Sequence, residues 1–538
     1  MDGDNYYDVI VIGSGAGGLT AAVTLAQGGL KTLVLEQHEL PGGWCHTFTL
    51  EGYRFSPGVH YLGKLSENGS LARIYRGLGV SKDLEFCELN PDGFDHIFIG
   101  EERFDIPKGK RAFMERLKQR FPDESKGIDG YFKTIEDYFQ GLKSFSLPKL
   151  FTVLRWSLRT GKDLVEHFTR DPVLQAILYG QAGDHGMPPS LVSAPIHMGI
   201  VEHYFDGAYY PRGGGGALPR AFVRALQGAG GEIRLQSMVE EILIEEQTAI
   251  GVRLAGGEEI RAKFVISNAD PDVTFTQLIG EEHLPPRLKR RLKRTKYSTS
   301  AVSLYLAVDM DLRAAGLDSG NFWFYDHPDL EQLYSQGLTD DLVHTERPGA
   351  IFLTVTTLKD PSKMHSGVHT LEAFAFVDYA PFARWENDTP GDRPWEYQQL
   401  KEKIAKKMLA AIERRVPGFS EHVVFANLGT PLTNKHYLNA TRGNLYGIDK
   451  RRLQVGPLGY PIKSAIEGLF MVGASTMSHG VAGATGTGLA CAGQILGKPV
   501  RELLNQNGPP IKIYPSEDTT RWPENLQKKI ARGKKVKG

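Results

Sequence analysis

Residues 7–18 read YDVIVIGSGAGG, and this stretch decides the fold. The apolar run 7–12 has the length and β-branched content of a strand, and it is apolar on both faces, as a central parallel strand is. Gly13, Gly15 and Gly18 then complete a G-x-G-x-x-G turn. Gly13 permits the tight turn, Gly15 lets a pyrophosphate approach the main chain, and Gly18 lets the following helix pack close to the strand. Residues 19–27 (LTAAVTLAQ) predict that helix, and its start, around Ala16 and Gly17, offers N–H groups and a positive dipole end to phosphate. Gly28 and Gly29 stop it. Residues 31–36 (KTLVLE) predict a second strand closing on an acid, Glu36, placed to accept from ribose hydroxyls. A lone glycine fingerprint is weak, because glycine-rich turns are common. Here strand, loop, small-residue helix, second strand and acid follow in order, which predicts a dinucleotide site.

Composition sets the bounds around this unit. A chain of 538 residues is too long for one ordinary core, so two domains are expected. Sixty-three basic residues balance sixty-three acidic ones, which gives no global attraction for nucleic acid, and no nucleic-acid partner is expected. The three cysteines, Cys45, Cys87 and Cys491, have no C-x-x-C spacing. That argues against a zinc ribbon or a disulfide framework, so no metal site is expected, and a reducing, cytoplasmic setting is the simpler expectation. The N-terminus carries no basic-then-apolar leader pattern, and no run of 18 apolar residues crosses a bilayer. No G-x-S-x-G elbow points to hydrolysis.

Beyond Glu36, the segments Glu36-Gln37-His38, Gly42-Gly43 through Phe48, and residues 58–63 (GVHYLG) resemble the phytoene desaturase, carotenoid isomerase and retinol saturase family of FAD-dependent oxidoreductases, within the amine oxidase superfamily. The likeness is greatest to the retinol saturase branch. Residues 209–214 (YYPRGG) and the block from Gly468 to Gly488 resemble two further segments of that family, in the family's order. The resemblance implies an α/β fold: a Rossmann-type FAD-binding domain built from separated pieces, with an α+β substrate domain. It implies FAD contacts at Gly13, Gly15, Ala16, Gly17, Gly18, Glu36, Gln37, Gly42, Gly43, Trp44, Val239, Gly473, Ala474, Gly483 and Ala484. Trp44 stands where many desaturases carry Arg, and Ala474 where many carry an acid, so cofactor binding leans on backbone N–H groups. A helix N-terminus in the last block suits the negative charge of reduced flavin.

The expected domain pieces are 1–70, 205–290 and 445–500 for FAD, 71–204 and 291–444 for substrate, and 501–538 as a polar tail. The implied chemistry is redox change at a carbon–carbon double bond of a hydrophobic, isoprenoid-type substrate, with NAD(P)H or another external donor as the electron source. The direction stays open between saturation, desaturation and isomerisation. His60, Tyr61 and Tyr210 are the candidate catalytic residues, with His46 and His479 behind them; the plainer reading of each is a pocket-lining side chain. Residues 145–158 (FSLPKLFTVLRWSL) fit either a membrane-contacting helix or a buried cap on the substrate cavity. Residues 287–296 (RLKRRLKRTK) read first as a solvated face and second as a contact for anionic headgroups, which would place the protein on the cytoplasmic face of a membrane. Two other classes stay open: a non-catalytic prenyl or lipid carrier of the GDP-dissociation-inhibitor type, and an amine oxidase using Arg212.

Overall fold

The computed structural model describes residues 6–143 and 147–534. The strand Tyr6–Ile12 lies at the centre of the first sheet, pairing in parallel with Thr32–Leu35 on one side and Glu259–Ser267 on the other. Glu232–Arg234 and Leu469–Met471 extend the parallel order at the two ends. An antiparallel pair, Val239–Glu245 and Thr248–Leu254, joins the start of Glu259–Ser267. The period of two explains why the strand is apolar throughout. Val9 and Val11 face a cluster with Leu19, Phe222 and Cys491, whereas Ile10 and Ile12 face one with Ile242, Val252 and Met471.

The first face is covered by the helices Ala16–Gln27, Ala217–Gly228 and Gly480–Leu496. Small residues are required where the first and last of these cross. A Cβ on Gly488 would stand 2.2 Å from the carbonyl oxygen of Gly17.

The second sheet runs Val423–Gly429, Ser300–Val308, His369–Val377, Ala350–Val355, Asn321–Tyr325, Asp95–Ile99 and Glu102–Ile106. Every pairing is antiparallel except that of Asn321–Tyr325 with Asp95–Ile99. Helix Trp395–Glu413 closes one side through Ile404, Met408 and Ile412. A helical layer from residues 110–203 shares a core with Trp323 and Phe352 of this sheet.

Residues after 500 are not simply a tail. Lys512–Pro515 pairs in parallel with Glu85–Glu88, and helix Glu524–Gly533 buries Leu526 and Ile530, with Trp522, against Cys87. The polar composition concealed an apolar stripe at helical spacing, Trp522, Leu526 and Ile530. Residues 535–538 lie outside the described residues.

Candidate active site

A cavity of about 600 Å³ lies between the two sheets, floored by main chain and walled by aromatic side chains. Its floor begins at the glycine turn. Gly13 has φ +88°, a conformation that favours glycine, and the N–H of Gly18 donates to Asn268 Oδ1 at 3.1 Å. Asn268, at the end of the strand Glu259–Ser267, also sets the glycine requirement of this floor. A Cβ on Gly15 would meet its Nδ2 at 2.5 Å, and one on Gly473 its Oδ1 at 2.9 Å.

Glu36 is tied into the glycine turn. Its carboxylate accepts from Ser14 N (2.9 Å), Ser14 Oγ (2.5 Å) and His38 N (3.1 Å). Ser14 Oγ in turn accepts from Gly42 N at 2.9 Å. The acid therefore couples the phosphate turn to the second glycine pair. Gly42 and Gly43, with φ +126° and +53°, line the floor together with Trp44, Gly473, Ala474, Gly483 and Ala484. Gly13, Gly18, Glu36, Gln37 and Val239 stand outside the cavity surface.

Two helix starts meet this floor: Gly15 before Ala16–Gln27 and His479 before Gly480–Leu496, neither with a side-chain cap or an acid in its first turn. Uncapped N–H groups over a glycine-rich floor fit an anionic dinucleotide and a flat ring. His479 Nε2–H donates to the main-chain oxygen of Asp184 at 2.8 Å, which leaves Nδ1 as a buried acceptor with no protein partner. Burial holds this imidazole well below its usual range, to about 3. Such an acceptor on the cavity wall suits a bound ligand, so the residues present fit FAD.

The opposite wall is apolar: Phe139, Ile196, Ile200, Phe352 and Phe374. His60 lies against Phe352 and Phe374, its Nδ1 3.1 Å from Glu372 Oε2, and its carbonyl accepts from the buried Lys359 Nζ at 2.6 Å. Tyr61 stacks on Tyr204 with centroids 4.4 Å apart and donates its hydroxyl to Asp184 Oδ2 at 2.9 Å. His60, Tyr61, Asp184, Tyr204 and His479 thus share one cavity.

Tyr210 does not join them. It is fully buried in the strand Tyr209–Pro211, away from the cavity surface, with its hydroxyl accepting from Lys363 Nζ at 3.3 Å. His46 is likewise outside, its Nδ1 hydrogen-bonded to the Gly43 carbonyl at 2.6 Å. Arg212 is paired with Glu85, and among the described residues no Lys or Arg lines the cavity. Asn268, Asp184 and Tyr204 were missed by the motif reading. Asn268 had a usable signal, as the polar residue ending a parallel strand beside the glycine turn. Asp184 and Tyr204 had none.

The profile of flavin-containing amine oxidoreductases matches residues 16–496. The chain belongs to that family. It is an FAD-dependent oxidoreductase. Among its relatives, the all-trans-retinol 13,14-reductase of Danio rerio is 32% identical over 91% of this chain and 86% of that protein. The chloroplastic prolycopene isomerase of Arabidopsis thaliana is 29% identical over 92% and 83%. A solved putrescine oxidase shares the fold, with a TM-score of 0.61 at 17% identity, covering 92% of this chain and 99% of its own. The carrier and amine-oxidase readings are not favoured by the sequence relatives, and this flavin oxidoreductase offers no cation on its cavity wall to hold a substrate carboxylate.

On the surface, helix Leu147–Ser157 exposes Leu147 (81%), Phe151 (68%), Leu154 (68%) and the following Leu158 (60%) along one face. Residues 144–146 of that expected segment lie outside the described residues. Of the two readings of this segment, a buried cap does not fit these exposures; only Trp156 of the helix is buried. Helix Pro286–Arg294 buries no residue, and its Arg291 guanidinium stacks over Tyr460 at 4.1 Å. No helix among the described residues is long and apolar enough to cross a membrane.

Proposed function

We propose that the protein reduces a carbon–carbon double bond of an isoprenoid lipid. The observation that carries this reading is the continuity of the glycine floor with an aromatic wall free of Lys and Arg, in one cavity. Such a wall accepts a long apolar chain and gives a carboxylate substrate no countercharge. The 32% identity to a protein named for retinol reduction favours saturation over isomerisation. FAD, when bound, supplies a two-electron hydride equivalent, renewed by an external donor such as NAD(P)H. FAD would be held by main chain at Gly15, Ala16, Gly17, Gly42, Gly43, Gly473, Ala474, Gly483 and Ala484. The side chains of the chain hold the alkene against the floor, exclude water and carry the proton. The cofactor pieces are 1–70, 205–290 and 445–500, which supply the parallel strands of the first sheet, and the substrate pieces are 71–204 and 291–444.

The substrate reaches the cavity from a bilayer. Support comes from the exposed apolar face of Leu147–Ser157, whose helix packs on Ser125–Lys143 and Ala194–His203, the two helices that contribute Phe139, Ile196 and Ile200 to the wall. The basic helix Pro286–Arg294 is a second surface for anionic headgroups. Three free, buried cysteines suit a cytoplasmic setting.

The reading is tested anaerobically with purified protein, a reductant and a panel of retinoids and carotenes, analysed by mass. A gain of two hydrogens supports it. An unchanged mass with altered geometry makes the protein an isomerase instead. Bleaching of the flavin by amines alone overturns the substrate class.

A further inference from the structure

Asp184 stands where the cofactor floor meets the apolar wall. Its main-chain oxygen is held by His479, the residue before the helix Gly480–Leu496, and Asp184 lines the cavity. The carboxylate accepts from the Tyr61 hydroxyl at 2.9 Å, and Tyr61 is fixed by its stack on Tyr204. Tyr204 is a second hydroxyl in contact with the acid. Asp95, Tyr325, Tyr334 and Tyr446 also interact with it, and the buried Lys359 lies beyond Tyr61, 5.8 Å from that ring, where it interacts with Asp95. Burial, with Asp95 adding to it, raises the carboxyl to about 7. A carboxyl so placed, with no directly paired cation, is still partly protonated at neutral pH.

The neighbouring candidates are less suited to give a proton. The phenol of Tyr61 is pushed well above 10 by burial, and its hydrogen is already directed at Asp184. The His60 Nδ1 is engaged by Glu372.

Building on the proposed alkene reduction, we propose that Asp184 is the proton donor, giving its carboxyl hydrogen to one carbon of the substrate double bond. The π bond breaks, and its two electrons form a C–H bond to that proton. The other carbon gains a hydride equivalent, whose two electrons come ultimately from an external donor of the reduced-nicotinamide class. Asp184 is left as carboxylate and recovers a proton from water after product leaves. Tyr61 and Tyr204 are positioning residues that orient the acid.

The test uses the FAD-loaded full chain carrying 4-¹³C-aspartate. Infrared difference spectra between pH 5 and pH 9 are expected to show a carboxylic acid band titrating near neutrality, absent from Asp184→Asn. In D₂O, the wild-type product is expected to carry one solvent deuterium at the newly saturated bond. Asp184→Asn should lose turnover by about 10²–10⁴-fold, with flavin content and reduction by the external donor retained. Tyr61→Phe should keep the deuterium and shift the pH profile. Where Asp184→Asn does not fold, Asp184→Ala serves, with recovery of turnover by added formate expected. Turnover by Asp184→Asn within about threefold of wild type, or a carboxyl already ionised at pH 5, overturns the proposal alone. Wild-type protein that alters no isoprenoid, with the band present, overturns the functional reading and the donor role with it.

Discussion

Ser14 Oγ donates to Glu36 Oε2 at 2.5 Å and accepts from Gly42 N at 2.9 Å, so one acid at the end of the second strand fixes two glycine turns at once. Glu36→Ala removes the acceptor shared by Ser14 N, Ser14 Oγ and His38 N. Hydrogen bonds to a charged group are worth about 1.5–3 kcal/mol. FAD affinity is therefore expected to fall by roughly 10–100-fold, read by fluorescence titration of apoprotein. Unchanged affinity would mean that the two turns hold their shape without the acid.

The crossing of the first and last helices gives a purely structural prediction. Gly488→Ala places a Cβ 2.2 Å from the Gly17 carbonyl oxygen, 3.0 Å from Ala21 N and 3.0 Å from Thr20 Cβ. Backbone cannot yield there as a flexible side chain would, so about 1–3 kcal/mol of overpacking is expected. Because the contact is with the phosphate turn itself, flavin release should begin at a lower temperature than in wild type. Calorimetry with parallel flavin fluorescence checks both.

The legible part of this molecule was the part written in short spacings. The strand Tyr6–Ile12 and the glycine turn after it are read from neighbours a few positions away, whereas the cavity floor at Gly473 is shaped by Asn268, distant in the chain. Asp184 was not legible, because its role comes from His479 and Tyr61, 295 and 123 positions away in the chain. Tyr210 was misread for a related reason. Its motif is local, but the strand Tyr209–Pro211 pairs with Glu85–Glu88, which turns the ring into the core behind the cavity. The C-terminal segment misled through composition: three apolar side chains at the right spacing outweigh many lysines once they find Cys87.

The exposed face of Leu147–Ser157 separates membrane docking from folding. Leu147→Ser combined with Phe151→Ser and Leu154→Ser removes apolar area that is mostly exposed to solvent. Transfer of those three side chains to a bilayer is worth several kcal/mol at ~25 cal/mol per Å². Flotation with liposomes is expected to fall by more than ~10-fold while the melting temperature holds, since no core contact is lost. Equal flotation of wild type and variant would remove this helix as the docking element.

A buried acid also marks stability, and the sign follows from its direction. The carboxyl of Asp184 is raised from 3.8 to about 7, so the folded protein binds more protons than the unfolded chain between those values. Stability contributed by this group is complete below the unfolded value and is lost as pH rises through about 7. Asp184→Asn carries no charge at any of these pH values and escapes the loss. Its advantage over wild type should therefore widen between pH 5 and pH 8, by on the order of 2–3 kcal/mol at 1.36 kcal/mol per unit. Thermal unfolding across that range measures it. A gap that stays constant or narrows would mean that the acid is already ionised at pH 5 and can hold no proton for the alkene.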